Sequence, residues 1–323
     1  MTKLPESLEP LRDAWLAVVA PPRRRATIAA ACFLATVAML VARMGTGAAR
    51  LGAVAILAFG ALGIGVARAL DARVFRDPAR TIRRVAGAAD PALAARAVRA
   101  LSLLDAASGS AARGASVELA ELHVRRALAA LPREGVKSGA SRVALVLGVG
   151  TLLVAAATVA SCVANPWAVV EGADVLVARG GVAPLGMAWL SGTSMRARPP
   201  DYLHQEERPL SPYDDVALAR GTLLTVRGTP VHSGRRLLLT DGVAEVPFVE
   251  DGAGHVVARW PLAESVRLRV VARFGDVVIP DSRETPVESI PDMPPVIALE
   301  GAPRQIRLAA EPGGAEELSL IHI

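Results

Sequence analysis

Aromatic residues and cysteines are scarce in this chain. Among its 323 residues there are only 4 Trp, 2 Tyr, 5 Phe and 2 Cys. Two cysteines, both inside long apolar runs, exclude a disulfide scaffold and a cysteine metal centre. A hydrophobic share of 52% and a mean hydropathy of +0.38 exclude an intrinsically disordered chain. The apolar excess is Ala, Val and Leu concentrated in a few blocks, which favours a membrane protein.

Sequence motifs of catalysis are lacking as well. The chain has no G-x-S-x-G, no P-loop, no G-x-G-x-x-G after a predicted strand and no H-E-x-x-H. His204 with Glu206 and Glu207 comes nearest to a metal cluster, but its Pro-rich surroundings favour solvated side chains. We interpret Asp214-Asp215 as a turn rather than a carboxylate pair for acid–base catalysis. The sequence therefore predicts no catalytic, cofactor-binding or metal-binding residues, and a protein that is not an enzyme.

Three long runs without any charged residue are the strongest positive feature. They span residues 26–42, 51–67 and 143–164. As helices the first two would be about 26 Å long and the third about 33 Å, at about 1.5 Å per residue. These lengths match a hydrocarbon core of about 30 Å when the arginines that flank the shorter runs extend to the headgroups. We predict a transmembrane hairpin at 26–67 and a third transmembrane helix at 143–165, rather than buried helices of a soluble protein or a cleaved signal peptide.

The distribution of basic residues predicts the orientation of these spans. Residues 1–167 carry 21 Lys and Arg against 10 Asp and Glu, whereas residues 168–323 carry 15 against 21. Segment 68–142 alone holds 14 basic residues, and the connection 43–50 holds two. By the positive-inside rule, the N-terminus and segment 68–142 lie in the cytoplasm, and the C-terminal half lies outside.

The cytoplasmic parts are predicted to be helical. Residues 1–25 include an amphipathic helix, which either lies in the membrane interface or packs on the cytoplasmic hairpin. Segment 68–142 is predicted to be a helical hairpin, broken at Asp90-Pro91 and turning at 108–116. Its arginines are spread around the helices, so a solvated face near the inner leaflet is favoured over nucleic-acid binding.

Residues 174–290 change to short β-rich runs separated by Gly and Pro turns. Gly275-Asp276 is predicted to be a tight hairpin. Seven short runs indicate an all-β, immunoglobulin-like sandwich that lacks the Cys–Trp–Cys core, so that Trp260 packs without a disulfide. The predicted strands are Thr193–Arg198, Thr222–Arg227, Arg236–Thr240, Ala244–Val249, His255–Trp260, Val266–Phe274 and Val277–Ile279.

Two further segments follow the predicted sandwich. The Asp-x-Pro-Pro stretch at 292–295 indicates an interdomain joint, and residues 294–317 are predicted to begin a second, truncated β domain. The last six residues, 318–323, resemble the in-frame translation of a sequencing adapter. This resemblance predicts that the tail is not biological and that the natural chain continues.

The order of these parts resembles a known family. The likeness covers nearly all of residues 1–317 and includes the stretches 92–104, 198–203, 221–227 and 290–297. The family that this order of parts resembles is the bacterial membrane-protein family called domain of unknown function 4175. The resemblance implies an inner-membrane protein with a large periplasmic portion, usually longer than this chain, and no assigned activity. It carries over no functional residue.

Three functional hypotheses remain from the sequence. The first is a cell-envelope scaffold or interaction protein, anchored by its helices, whose outer sandwich binds envelope proteins or a second copy of the chain. The second is a transmembrane sensor that couples the outer domain to the cytoplasmic hairpin. The third places an enzyme in a missing C-terminal region. The expected partners are the lipid bilayer and envelope proteins, with neither nucleic acid nor a small-molecule substrate; a transporter is disfavoured because the spans lack ionisable residues.

Overall fold

The computed structural model describes residues 8–109, 117–130 and 133–292. Within them, helices fill the first half of the chain and strands the second, which confirms the predicted helical region and β domain. The helices are α1 (Glu9–Ala42), α2 (Gly47–Val74), α3 (Pro78–Val85), α4 (Pro91–Gly109), α5 (Val117–Ala129), α6 (Arg133–Ala164) and α7 (Ala168–Val177). The strands are β1 (Leu190–Arg198), β2 (Arg208–Leu210), β3 (Val216–Ala219), β4 (Leu223–Pro230), β5 (Arg236–Thr240), β6 (Glu245–Pro247), β7 (Val249–Glu250), β8 (Val256–Pro261), β9 (Val266–Phe274) and β10 (Val277–Ile290).

Helices α1, α2 and α6 are long and apolar enough to cross a membrane. Their most apolar windows have mean hydropathies of 1.9, 2.0 and 2.4, and only 17%, 6% and 0% of those windows is buried within the protein. Large apolar side chains point outward along them, such as Phe59 on α2 (72% exposed) and Leu152 on α6 (69% exposed). Such surfaces are costly in water and favourable in hydrocarbon, so the apolar content of these helices suits a bilayer.

Helix α1 is one continuous element, although the sequence had indicated an amphipathic helix and a separate span. It runs for 34 residues with Pro21 and Pro22 inside it. Its early face, Leu11, Trp15 and Val19, is buried. The face packs into an apolar cluster with α3, α4, α5 and the first turns of α6, which we call the helical bundle. The amphipathic face thus contacts protein.

Capping side chains mark the helix starts in segment 68–142. Asp90 Oδ1 accepts hydrogen bonds from the backbone N–H groups of Ala92 (2.8 Å) and Leu93 (3.0 Å), which confirms the predicted break before Pro91. Helix α3, capped by Asp77, was not predicted. The sequence predicts these residues within one longer helix before Asp90, whereas the Asp77-Pro78 cap makes α3 a separate helix. Most of the predicted turn at 108–116 lies outside the described residues.

The strands form two five-stranded sheets around one core. One sheet has the order β2-β1-β4-β8-β7 and the other β3-β10-β9-β5-β6; β3 runs parallel to β10, and the other pairs are antiparallel. Side chains from both sheets share one apolar cluster that includes Trp189 and Trp260. Phe274 pairs with Val277 across the Gly275-Asp276 turn, which confirms the predicted hairpin.

The β domain differs from its prediction in several bounds. Residues 174–177 are the end of helix α7, and the first strand begins only at Leu190. Strand β10 extends to Ile290, because β9 pairs with it before and after a bulge that follows Pro280 and β3 pairs with residues 287–290. The short edge strands β2 and β3 were not predicted from the sequence, because strands of 3 and 4 residues are too short to show a clear alternation of apolar and polar residues. The predicted second β domain (294–317) and tail (318–323) lie outside the described residues.

Candidate functional site at the junction of helices and sheets

Helix α7 brings a buried carboxylate to the place where the long helices meet the β domain. It begins directly after α6 and carries two acidic residues one turn apart, Glu171 and Asp174, in an otherwise apolar sequence. Both side chains are fully buried. A buried carboxylate costs several kcal/mol unless it is paired, so its partners determine how this region is held.

Two arginines from distant elements bind Glu171. Arg43, at the end of α1, donates from Nε to Glu171 Oε2 at 2.7 Å. Arg235, in the loop before β5, donates from Nε to Oε1 at 2.8 Å and from Nη2 to Oε2 at 3.0 Å. The Arg235 side chain is only 7% exposed and also donates to Asn165 Oδ1 at 3.2 Å. One carboxylate therefore ties α1, the end of α6, α7 and the β domain together.

Helix α2 joins the same junction through α7. Arg50, in the first turn of α2, donates to the carbonyl oxygens of Leu176 and Ala178 at the end of α7. A guanidinium group at the C-terminal end of α7 donates hydrogen bonds to backbone carbonyl oxygens that have no partner within the helix, and its positive charge interacts favourably with the helix dipole. Asp174 Oδ1 accepts the backbone N–H of Leu185 at 2.9 Å, which fixes the chain that leads into β1.

Glycines allow the backbones to approach closely at this junction. A Cβ atom on Gly172 of α7 would lie 2.0 Å from the Met39 carbonyl oxygen of α1. A Cβ atom on Gly45, in the α1–α2 turn, would lie 1.7 Å from the Phe274 carbonyl oxygen, and Gly45 has φ +74°. The α1–α2 turn is therefore seated directly on the β9–β10 hairpin. Any side chain at these two glycines would push the elements apart.

Three aromatic side chains, His232, Trp167 and Trp189, pack together beside the Glu171 ion pairs. His232 contacts Trp167 at a centroid distance of 4.8 Å and Trp189 at 5.6 Å. Trp189 is fully buried and donates from Nε1 to the Ile279 carbonyl oxygen at 2.8 Å. Burial lowers the pKa of His232 below its ordinary value; the nearby Glu171 raises it and Arg235 lowers it. The neutral imidazole is thus favoured within this packed group.

The chemistry of the junction is that of a structural connection. Both oxygens of Glu171 accept hydrogen bonds from guanidinium groups and are closed to solvent, so they are not free to take a proton from a substrate. Within the described residues there is no group of three His, Cys, Asp or Glu side chains placed to hold a metal ion. We call Arg43, Glu171, Arg235, Asn165 and Arg50 the ionic junction.

The candidates considered from the sequence lie elsewhere. His204, Glu206 and Glu207 are exposed on the loop that follows a 3-10 helix, and Asp214 and Asp215 are exposed in a turn before β3. The free thiols Cys32 and Cys162 lie in α1 and α6. The structure does not bring any of these groups into the ionic junction.

Sequence reasoning missed the ionic junction. It counted Arg43 and Arg50 as charges of a short connection whose side chains extend to the headgroups, whereas they bind Glu171 and the end of α7. It also assigned Asp174 to the start of the β domain. A usable signal was present: two acids one helical turn apart in the apolar stretch 168–177 predict a buried carboxylate that needs partners. Those partners were not predictable, because Arg235 lies 64 residues from Glu171 in the chain.

Comparison of the chain with protein-family models, with curated proteins and with solved structures finds no match.

Proposed function

We propose that this protein is an integral inner-membrane scaffold or interaction protein of the bacterial cell envelope. Three transmembrane helices anchor it, and its β domain presents a binding surface for envelope proteins or for a second copy of the chain. The observation that carries the proposal is the ionic junction. The Glu171 ion pairs tie the β domain to α1, and the Arg235–Asn165 hydrogen bond ties it to the end of α6. Arg50 ties α2 to α7. These links support a fixed orientation of the β domain relative to the long helices, as a docking platform requires.

An immunoglobulin-like assignment of the β domain is supported by its strand order. In that fold, strands A, B, E and D face strands G, F and C, with C′ added in variable-type domains. Strands β1, β4, β8 and β7 follow the first order, and β10, β9, β5 and β6 follow the second. The buried Trp260 lies on β8 instead of strand C, so the core is filled differently. Domains of this class commonly serve as interaction modules, in agreement with the resemblance to the family of periplasmic-domain membrane proteins.

The proposed orientation places the N-terminus and the helical bundle in the cytoplasm and the β domain in the periplasm. Labelling of single cysteines tests it after Cys32 and Cys162 are replaced by Ala. Val243→Cys, on a loop residue that is 95% exposed, is expected to react with a membrane-impermeant thiol reagent in spheroplasts. Glu121→Cys, exposed on α5, is the matched control and is expected to react only after lysis. The reverse pattern would overturn the orientation.

The scaffold function is tested by capture and by deletion. A photo-crosslinking residue at Val243 or Val249, both exposed on the β domain, is expected to capture an envelope protein or a second copy in living cells. The same residue at Leu103 on α4, which is 59% exposed, is the control and is expected to give a different pattern. Capture of no envelope partner, together with normal envelope integrity in a deletion strain, would contradict the proposal.

A second function, transmembrane sensing, is favoured by the continuity of α1. Trp15 near its start is buried in the helical bundle, and Arg43 at its end joins the ionic junction. One helix of 34 residues, about 51 Å long at about 1.5 Å per residue, thus connects the β domain to the opposite end of the protein. A sensor needs a cytoplasmic partner at the bundle. Crosslinking from Arg125 that captures no cytoplasmic protein would argue against this function.

A further inference from the structure

The structure brings together three arginines that are far apart in the sequence. Arg23 of α1 forms an ion pair with Asp71 of α2. Arg68 lies one helical turn before Asp71 on α2, and helix α3, which carries Arg84, contacts both α1 and α2. The positive charges of Arg68 and Arg84 therefore act on Arg23. We call Arg23, Arg68 and Arg84 the arginine cluster. The Asp71 carboxylate neutralises one of its three positive charges, so the cluster has an excess of positive charge.

The surroundings of the cluster add to this excess. The amphipathic helix α3 buries Thr81, Ile82 and Val85 in the helical bundle. Its polar face is open to solvent. Further exposed arginines on α1, α2, α3 and the α2–α3 connection have no acidic partner among the described residues: Arg24, Arg25, Arg73, Arg76 and Arg83.

The position of the arginine cluster along helices α1 and α2 indicates which ligand it binds. Arg23 lies just before the apolar run 26–42, and Arg68 lies just after the run 51–67. Helices α1 and α2 are antiparallel neighbours joined by the turn at Gly45, and at about 1.5 Å per residue both arginines lie about 30 Å from that turn. This distance is the thickness of a hydrocarbon core, so the cluster is level with the lipid headgroups.

We propose that the arginine cluster binds the phosphate headgroup of an anionic phospholipid where α1 and α2 leave the bilayer. The guanidinium groups of Arg68 and Arg84 each carry a planar fork of N–H donors, which matches phosphate oxygens that accept paired hydrogen bonds. Asp71 holds Arg23 in place without cancelling the charge of the other two arginines. The site does not depend on what the β domain binds, so this proposal and the scaffold function can fail separately.

Lipid binding to the purified full-length protein tests the proposal. Phosphatidylglycerol is added in detergent and the bound lipid is counted by native mass spectrometry, with phosphatidylcholine as the neutral comparison. The double variant Arg68→Gln/Arg84→Gln is expected to bind phosphatidylglycerol about 30-fold more weakly, because each arginine near a headgroup contributes about 1 kcal/mol. Arg68→Lys/Arg84→Lys keeps the charge but loses the paired hydrogen bonds, so its affinity is expected to lie between those of the double glutamine variant and the wild type.

The matched control removes the same charge from the β domain. Arg196→Gln/Arg259→Gln changes two exposed arginines on β1 and β8, and it is expected to leave lipid binding unchanged. Asp71→Asn is a second, independent variant that frees Arg23 and is expected to tighten binding about fivefold. Equal affinity of the wild type and the Arg68→Gln/Arg84→Gln variant would overturn the proposal.

Competition experiments separate the sources of phosphate. Phosphatidylglycerol binding is expected to persist when chloride is exchanged for inorganic phosphate at constant ionic strength. Displacement by inorganic phosphate would instead assign the cluster to a soluble anion, and displacement by a short single-stranded DNA would assign it to nucleic acid. Either displacement overturns the lipid site.

Discussion

Nε of Arg43 donates a 2.7 Å hydrogen bond to Oε2 of Glu171, across 128 residues of chain. This bond joins the end of the first long helix to the short helix that follows the third. Arg235 completes the pairing from the β domain. The carboxylate is fully closed to solvent. The ionic junction therefore holds together elements that the chain itself connects only through turns and loops.

Neutralising Glu171 is expected to destabilise the protein strongly. Glu171→Gln leaves two guanidinium groups in the junction without a counter-charge, and the loss of one partner of a buried pair costs about 3–5 kcal/mol. Thermal unfolding of the purified protein is the measurement. Glu288→Gln removes an exposed carboxylate of β10 and is expected to change stability by less than about 0.5 kcal/mol. An equal midpoint for both variants would show that the junction does not stabilise the fold.

Alanine at Gly45 is expected to separate the α1–α2 turn from the β9–β10 hairpin. Gly234→Ala is a close control, because Gly234 has φ +71° but open space around its Cβ position, whereas Gly45 has φ +74° and the Phe274 carbonyl oxygen at 1.7 Å. Both changes pay the cost of a left-handed backbone, and only Gly45→Ala adds the clash, about 1–3 kcal/mol. Unfolding midpoints measure the difference; equal losses would contradict the close contact.

Stability is expected to fall in mild acid because of His232. Burial lowers the pKa of His232 in the folded protein, whereas the unfolded chain has a histidine pKa of about 6.5. Below about pH 6.5 the unfolded chain therefore binds more protons, so the free energy of unfolding declines as the pH falls. The unfolding midpoint is measured from pH 7.5 to 5.

Two substitutions isolate this effect. His232→Gln is expected to reduce the pH dependence, whereas His204→Gln, which changes an exposed histidine, is expected to keep it. Identical slopes for the wild type and His232→Gln would assign the pH dependence to other groups.

Lipid contact is expected to differ sharply between two tryptophans. Trp15 is 2% exposed within the helical bundle, and Trp167, at the start of α7, is 46% exposed. In vesicles with brominated lipids, Trp167→Phe is expected to remove much of the fluorescence quenching, because an indole next to a span suits the interface. Trp15→Phe is expected to leave the quenching almost intact. A large loss with Trp15→Phe would place the start of α1 in lipid instead.

Local sequence patterns predicted the long helices and most strands. Uncharged apolar runs predicted the membrane-length parts of α1, α2 and α6, and the alternation of apolar and arginine residues in 266–274 predicted β9 with the same bounds as observed. Asp90 before Pro91 predicted a helix start. These features depend on neighbours within one or two turns, so one chain segment contains the whole signal.

The amino-acid sequence by itself determined which segments are apolar enough for a membrane and where the β domain follows them, because hydropathy and side-chain period are local properties. Only the tertiary structure decided that Glu171 pairs with Arg43 and Arg235, and that Arg23, Arg68 and Arg84 lie on helices that contact one another. Charges attract or repel through space, so their partners depend on how helices and sheets pack and not on the distance along the chain.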